Sequence, residues 1–194
     1  NHDRTHSEVQ ALTSGLLVAS PQMVDPFFGK TVVLLCDYDE DGAFGIVINR
    51  LTGLDTDNVL TQMEVTDGGG LSGPVHWGGP VQPGAVFLIF APTEAGPNAE
   101  EEGVFSVAEG VTFSRSKDVI QTVAAEAQTR GFLTLGYAGW AAGQLDGEIE
   151  TGSWIYLEAD SDIVFDTPPE ELWQRCIDSL GVDPAMIWMQ PVSE

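Results

Sequence analysis

The most constraining feature of this chain is a run with almost no polar position, Thr31-Val32-Val33-Leu34-Leu35-Cys36. Successive side chains of a strand point to opposite faces, so this run loads both faces with aliphatic groups. Such a strand leaves no face for water, and any sheet that contains it must be covered on both sides. Ala43-Phe44-Gly45-Ile46-Val47-Ile48-Asn49 and Ala85-Val86-Phe87-Leu88-Ile89-Phe90 repeat the demand. The first of these follows the opening run across a turn at residues 37–42, which predicts a hairpin.

Helices are the natural cover. Val59, Leu60 and Met63 share one face of a short helix predicted over residues 56–63. Ser116 N-caps a helix expected to reach about Arg130, with Val119, Ile120, Val123 and Ala127 inward and Gly131 as its stop. Thr167-Pro168-Pro169-Glu170 reads as a capping box with Pro at the first helical position. It opens a helix carrying Leu172, Trp173, Cys176, Ile177 and Leu180, which Gly181 ends, and Asp183-Pro184 begins a last short one.

Further strands are read at Leu16-Leu17-Val18-Ala19, Trp154-Ile155-Tyr156-Leu157 and Ile163-Val164-Phe165, with a hairpin from Val104-Phe105-Ser106-Val107 to Val111-Thr112-Phe113. Asp25-Pro26-Phe27-Phe28-Gly29 is a turn whose two aromatics are expected to dock on the core, and the acidic residues 92–103 are expected to be mobile. Many strands with interspersed helices, and no steady strand–helix–strand beat, give a mixed α+β domain. With 194 residues, one domain is expected over residues 15–194, preceded by a polar tail over residues 1–14.

Charge narrows the partners. Thirty acidic residues against seven basic ones give a net charge of −23. Such a surface repels phosphate backbones and anionic headgroups, so direct nucleic-acid or membrane binding is not expected. It would suit a protein that works in concentrated salt, where self-repulsion is screened. The first residues carry no apolar signal-peptide core, and no run approaches membrane-spanning length, so the expected location is cytoplasmic. Cys36 and Cys176 sit in apolar settings and read as reduced core residues.

Residues 136–154 hold the densest signal. Phe132-Leu133-Thr134-Leu135 starts as a strand and is expected to break at the small residues between Tyr137 and Trp140. Helical spacing then resumes, with Leu145 and Ile149 on one face and Gln144 and Glu148 on the neighbouring one. A glycine-rich strand-to-helix corner can offer backbone N–H groups to an anion. It can equally be a packing corner for two aromatics, and that plainer reading is preferred.

Three short motifs fail on context. Gly29-Lys30-Thr31 resembles the end of a phosphate-binding loop, but Val24 stands where the earlier glycine belongs and a strand follows. Gly68-x-Gly70-x-x-Gly73 leads into Pro74 and a strand, not the helix a dinucleotide site needs. Asp37-x-Asp39-x-Asp41-Gly42 copies half a calcium loop, yet Ile48 occupies the place of the bidentate acid. No cofactor is expected. His76, beside Trp77, reads as a hydrogen-bonded structural residue, and no His/Cys cluster has metal-ligand spacing.

Two polar groups stand out. Asn49-Arg50 ends a strongly apolar strand, and Arg50 either pairs with a carboxylate, with Glu148 the candidate, or waits for an anionic ligand. Trp77-Gly78-Gly79-Pro80 sets a large ring beside bare backbone, as a tight turn or a pocket wall.

These residues carry a resemblance. Gly15-Leu16-Leu17-Val18-Ala19-Ser20-Pro21-Gln22-Met23, Thr31-Val32-Val33-Leu34-Leu35 and Gly42-Ala43-Phe44-Gly45-Ile46-Val47-Ile48-Asn49-Arg50 resemble the N-terminal pattern of the YqgE/AlgH family. Trp77-Gly78-Gly79-Pro80-Val81 and residues 136–154 are similar to its other two signatures. The resemblance implies a single α+β domain with a curved, partly barrel-like mixed sheet flanked by helices. It also implies a bacterial cytosolic protein with no established enzyme activity, from a family whose members are often labelled transcriptional regulators. The family's recurrent positions fall on Asn49, Arg50, Trp77, Gly78, Gly79, Tyr137, Trp140, Gln144 and Glu148. Two departures matter: Leu51 replaces the usual proline after the Asn-Arg pair, and Ile89-Phe90 replaces a Leu-His. The expectation is a non-enzymatic regulatory or protein-interaction module with a polar, aromatic cleft. The alternative is a small-anion or nucleotide-binding protein or enzyme using Arg50 and the glycine-rich corner.

Overall fold

The run that demanded cover on both faces lies inside a sheet, with neighbours on either edge. In the computed structural model, which describes residues 15–66, 69–94, 96–98, 100, 102–126 and 129–181, it forms β2 (Val32–Asp39). β2 pairs antiparallel with β1 (Gly15–Ala19) and β3 (Gly42–Val47). Its extra length corrects the expected turn at residues 37–42. The ladder slips at Cys36, between Leu35 and Asp37, and pairing resumes through Asp39 opposite Gly42.

β9 (Gly131–Ala141) is the organising strand. One edge pairs antiparallel with β6 (Val81–Phe90); the other meets β3 near its end and, in parallel, β5 (Pro74–Trp77) nearer its start. β10 (Trp154–Glu158) closes one end beside β1, and β8 (Val111–Ser114) with β7 (Phe105–Ala108) the other. β4 (Leu51–Asp55) hangs from β5, giving one curled, mixed sheet of ten strands.

The two faces have separate cores. Leu16, Val18, Leu34, Ile46, Phe87 and Ile89 pack against α4 (Ser161–Asp166) and α5 (Pro169–Ser179) through Val164, Leu172, Cys176 and Ile177. The opposite face divides. Toward β5 and β6, Leu88, Phe90 and Leu133 meet α1 (Thr56–Gln62) and α2 (Lys117–Ala125). Toward β2 and β3, Leu17, Val33, Leu35, Ala138 and Trp140 meet Leu145 of α3 (Gln144–Glu150) and Trp154. Each large side chain taken fully from water contributes about 1.5–3 kcal/mol, and that holds helices as short as these in place.

Four expectations need correction. β9 does not break between Tyr137 and Trp140. Gly136 instead takes φ +82°, and the ladder to β6 slips between Val86 and Val81, so the strand continues with its pleat shifted. Leu135 therefore faces the α1/α2 core while Tyr137 faces the α4/α5 core. The run at Ile163 is helix, because Asp160 caps it by accepting from the Asp162 N–H at 2.8 Å. Helix α2 is capped by Ser116 as expected but ends at Ala125; Glu126 is extended, and Gly131 opens β9. Thr167 caps nothing: its hydroxyl accepts from Arg175 at 2.6 Å, and Pro168 precedes the first helical residue, Pro169. Ala127, the tail over residues 1–14 and the helix expected after Asp183 lie outside the described residues. So do Ala95, Ala99 and Glu101 within the acidic segment.

Candidate functional site

Asn49 and Arg50 leave the end of β3 and turn to the chain between β1 and β2. The Asn49 carboxamide accepts from the Val32 N–H and donates to the Lys30 carbonyl, both at 2.9 Å. Arg50 donates from Nη1 to the Phe27 carbonyl at 2.6 Å and from Nη2 to the Gly29 carbonyl at 2.7 Å. Its guanidinium carbon lies 5.8 Å from the centre of the Trp77 ring, on which Phe27 stacks at 6.2 Å. Together these residues clamp the loop at residues 25–30. Asp25 stiffens that loop from within, accepting from the N–H groups of Phe27 and Phe28 at 2.7 and 3.1 Å. Phe28 packs edge-on against Trp154, but Phe27 remains 53% exposed, so only one of the two turn aromatics docks on the core.

The expected Arg50–Glu148 pair does not form. Glu148 accepts instead from two indoles, Trp140 at 2.9 Å and Trp154 at 3.0 Å, both through Oε1, and from the Gln144 carboxamide at 3.0 Å through Oε2. Gln144 in turn accepts from the Ala141 N–H at 3.0 Å. The one-turn spacing of Gln144 and Glu148 on α3 makes this possible, and the edge-on indoles, 6.0 Å apart, converge on one oxygen.

The clamped loop is a shared wall between two hollows. One, of about 240 Å³, is lined by Met23, Asp25, Phe28, Gly139, Trp140, Gln144, Glu148, Ser153 and Trp154. The other, of about 350 Å³, is lined by Gly29, Lys30, Asn49 and Arg50 with Pro169, Glu170, Trp173 and Gln174 of α5. The nine residues singled out in the sequence thus do not face a single space. Asn49, Arg50 and Trp77 hold the loop, while Trp140, Gln144 and Glu148 lie on its far side.

Gly78 is backbone joinery: its carbonyl accepts from the Val47 N–H and its N–H donates to the Leu135 carbonyl, at 2.8 and 2.7 Å. Gly79, with φ +151°, lets this crossing approach the Tyr137 carbonyl. Tyr137 lies on the opposite face of the sheet, edge-on to Phe44 at 5.0 Å. Asp25, Phe28, Trp154 and Lys30 were not singled out. An Asp-Pro turn opening and a second indole at the far end of the central stretch were the available signals.

The histidine and the two cysteines among the described residues lie outside both hollows. His76 is buried, with Nδ1 2.8 Å from the Ile48 carbonyl and its ring stacked on Phe132 at 4.0 Å; burial holds its pKa below the ordinary 6.5. Burial pushes the Cys36 thiol well up, aided by the Asp37 charge, and pushes Cys176 up to about 11, so neither is a ready thiolate. Both cysteines are free. Among the described residues, no group of three or more His, Cys, Asp or Glu side chains could hold a metal ion, and no helix is long and apolar enough to cross a membrane.

Comparison with known proteins covers almost the whole chain. Residues 16–185 match a family model described as AlgH-like. A UPF0301 protein of Burkholderia ambifaria is 42% identical over 91% of this chain and 92% of its own. Another, of Burkholderia vietnamiensis, is 41% identical over the same shares. The solution structure of the AlgH protein from Pseudomonas aeruginosa superposes with a TM-score of 0.70 at 33% identity, covering 94% of this chain and 96% of that one. The crystal structure of protein DIP2367 from Corynebacterium diphtheriae gives a TM-score of 0.74 at 21% identity over 93% and 88%, a likeness of fold alone.

Proposed function

The chain belongs to the AlgH-like family, and from that premise we propose that it is a non-enzymatic regulatory or protein-interaction module of the cytoplasm. Its partner cleft is the hollow between the clamped loop and α3. One observation carries this reading: the only carboxylate with three side-chain donors among the described residues, Glu148, sits in that hollow as a held wall. A carboxylate so engaged is preorganised to contact a partner and poorly placed to shuttle a proton. The charge of −23 favours protein contacts over DNA as the route of any effect on transcription.

Binding of a small anion or nucleotide is the lesser reading. Arg50 spends both terminal nitrogens on loop carbonyls, and the first turn of α3 carries Asp146, whose charge opposes an anion at the glycine-rich corner.

The test is affinity recovery from a host extract by wild type and by Glu148→Ala, both checked for folding by circular dichroism. Recovery of the same protein by wild type alone is expected; equal recovery by both would remove the cleft from the account. A thermal-shift screen with nucleotides and phosphorylated metabolites is expected to give no gain beyond that of matched salt. A gain abolished by Arg50→Ala would install the anion reading instead.

A further inference from the structure

The hollow beneath the loop combines three properties. Its walls are rings set near right angles: Trp140 against Trp154 at 79° and Phe28 against Trp154 at 72°. It carries two carboxylates, Asp25 and Glu148, and among the described residues no Lys or Arg lines it. The basic groups of the loop and its clamp are turned to its outer side, Arg50 to the carbonyls of Phe27 and Gly29 and Lys30 over the Trp173 ring at 5.7 Å. Both carboxylates are held by N–H donors but have no cationic partner among the described residues of the hollow, beside a wall in which Phe28 is half-buried and the two indoles are buried. Both indole N–H groups donate to the same carboxylate oxygen, which pushes electron density toward the rings and makes their faces more negative.

From this geometry we infer that the hollow takes an organic cation, an alkylammonium or guanidinium head such as the tip of a partner protein's Lys or Arg side chain. The inference rests on the cleft reading above and names the chemistry of its occupant. Size agrees. A space of about 240 Å³ lies below the roughly 300–1,000 Å³ of drug-sized ligand pockets, and so suits a side-chain head better than a nucleotide. A divalent metal is a poorer occupant. It would have to strip three donors from Glu148, whose N–H dipoles turn their positive ends toward the place a metal would need. A large, weakly hydrated cation needs no such displacement, because the carboxylate field and the aromatic wall attract it at a distance.

The experiment follows the indole Nε1–H resonances of Trp140 and Trp154 by NMR at about 150 mM salt, which screens the general pull of an acidic surface. The probes are a lysine-containing peptide, an arginine-containing peptide, free tetramethylammonium and its neutral near-isostere tert-butanol. Saturable shifts with the cations and none with the isostere are expected. Asp25→Asn keeps the loop's hydrogen-bond acceptor and removes its charge; Phe28→Leu keeps apolar volume and removes a ring face. Each is expected to weaken cation binding about five- to tenfold. A tighter response to the peptides than to tetramethylammonium identifies a protein partner as the source, and the reverse order identifies a free amine.

Equal shifts with the neutral isostere, or unchanged affinity in both variants, would overturn the cation assignment. So would indoles that stay still with every cation. In that last case, indole shifts on adding the protein recovered from extract would leave the cleft reading standing, and still indoles would remove both.

Discussion

At the scale of single residues, the polar groups that drew attention in the sequence divide into holders and walls. Asn49 and Arg50 are holders, since all four of their side-chain hydrogen bonds end on the backbone of residues 27–32. His76 is of the same kind. A carbonyl only accepts, so Nδ1 carries the proton donated to Ile48, and burial keeps the ring neutral. Because its pKa is depressed in the folded state, its contribution is fully present above the ordinary value near 6.5. As the pH falls below that value the unfolded chain takes up the proton first, and the contribution is lost through the folded-state pKa. Urea denaturation of wild type and His76→Gln between about pH 7.5 and about pH 5 reads this directly. The wild-type advantage is expected to shrink as the pH falls; a difference that stays constant would contradict the assignment. The residue types at these positions were legible in the sequence. Their partners were not, because Arg50 has many acidic candidates in so acidic a chain and chose uncharged carbonyls.

At the scale of elements, the decisive contact is the crossing of residues 78–79 over β9. A Cβ on Gly79 would fall inside the Tyr137 carbonyl, and one on Gly136, already at φ +82°, inside the Gly79 carbonyl. Either Gly79→Ala or Gly136→Ala is expected to cost at least about 3 kcal/mol or to prevent folding. Gly147 is the control. A Cβ there meets nothing within 4 Å, so Gly147→Ala in the middle of α3 should stabilise by about 0.5–1 kcal/mol. Thermal denaturation of the three variants checks the opposite signs; destabilisation by all three would refute the packing argument. The hairpin, the N-cap at Ser116 and the apolar strands were legible because local chemistry specifies them. The run Ile163-Val164-Phe165 was not, since a short apolar segment has no period long enough to separate strand from helix, and the cap at Asp160 decided it. Nor could the pleat shift at Gly136 be read, as a bulge is defined by what lies across the ladder.

At the scale of the whole molecule, the net charge of −23 acts against compactness wherever it is unscreened. The melting temperature is expected to rise by about 5–10 °C between about 10 mM and about 0.5 M sodium chloride, measured by differential scanning calorimetry. A flat response would mean that the acidic surface carries little strain and would remove the argument for a high-salt habitat. Composition and apolar patterning by themselves determined a single α+β domain, a sheet buried on both faces and a strongly acidic net charge, because each follows from residue type and its repeat along the chain. Only the tertiary structure decided which groups share a space. The loop at residues 25–30 comes between Arg50 and Glu148, and the shifted pleat sends Tyr137 to the far face; such separations depend on contacts between segments remote in sequence, which no local pattern encodes.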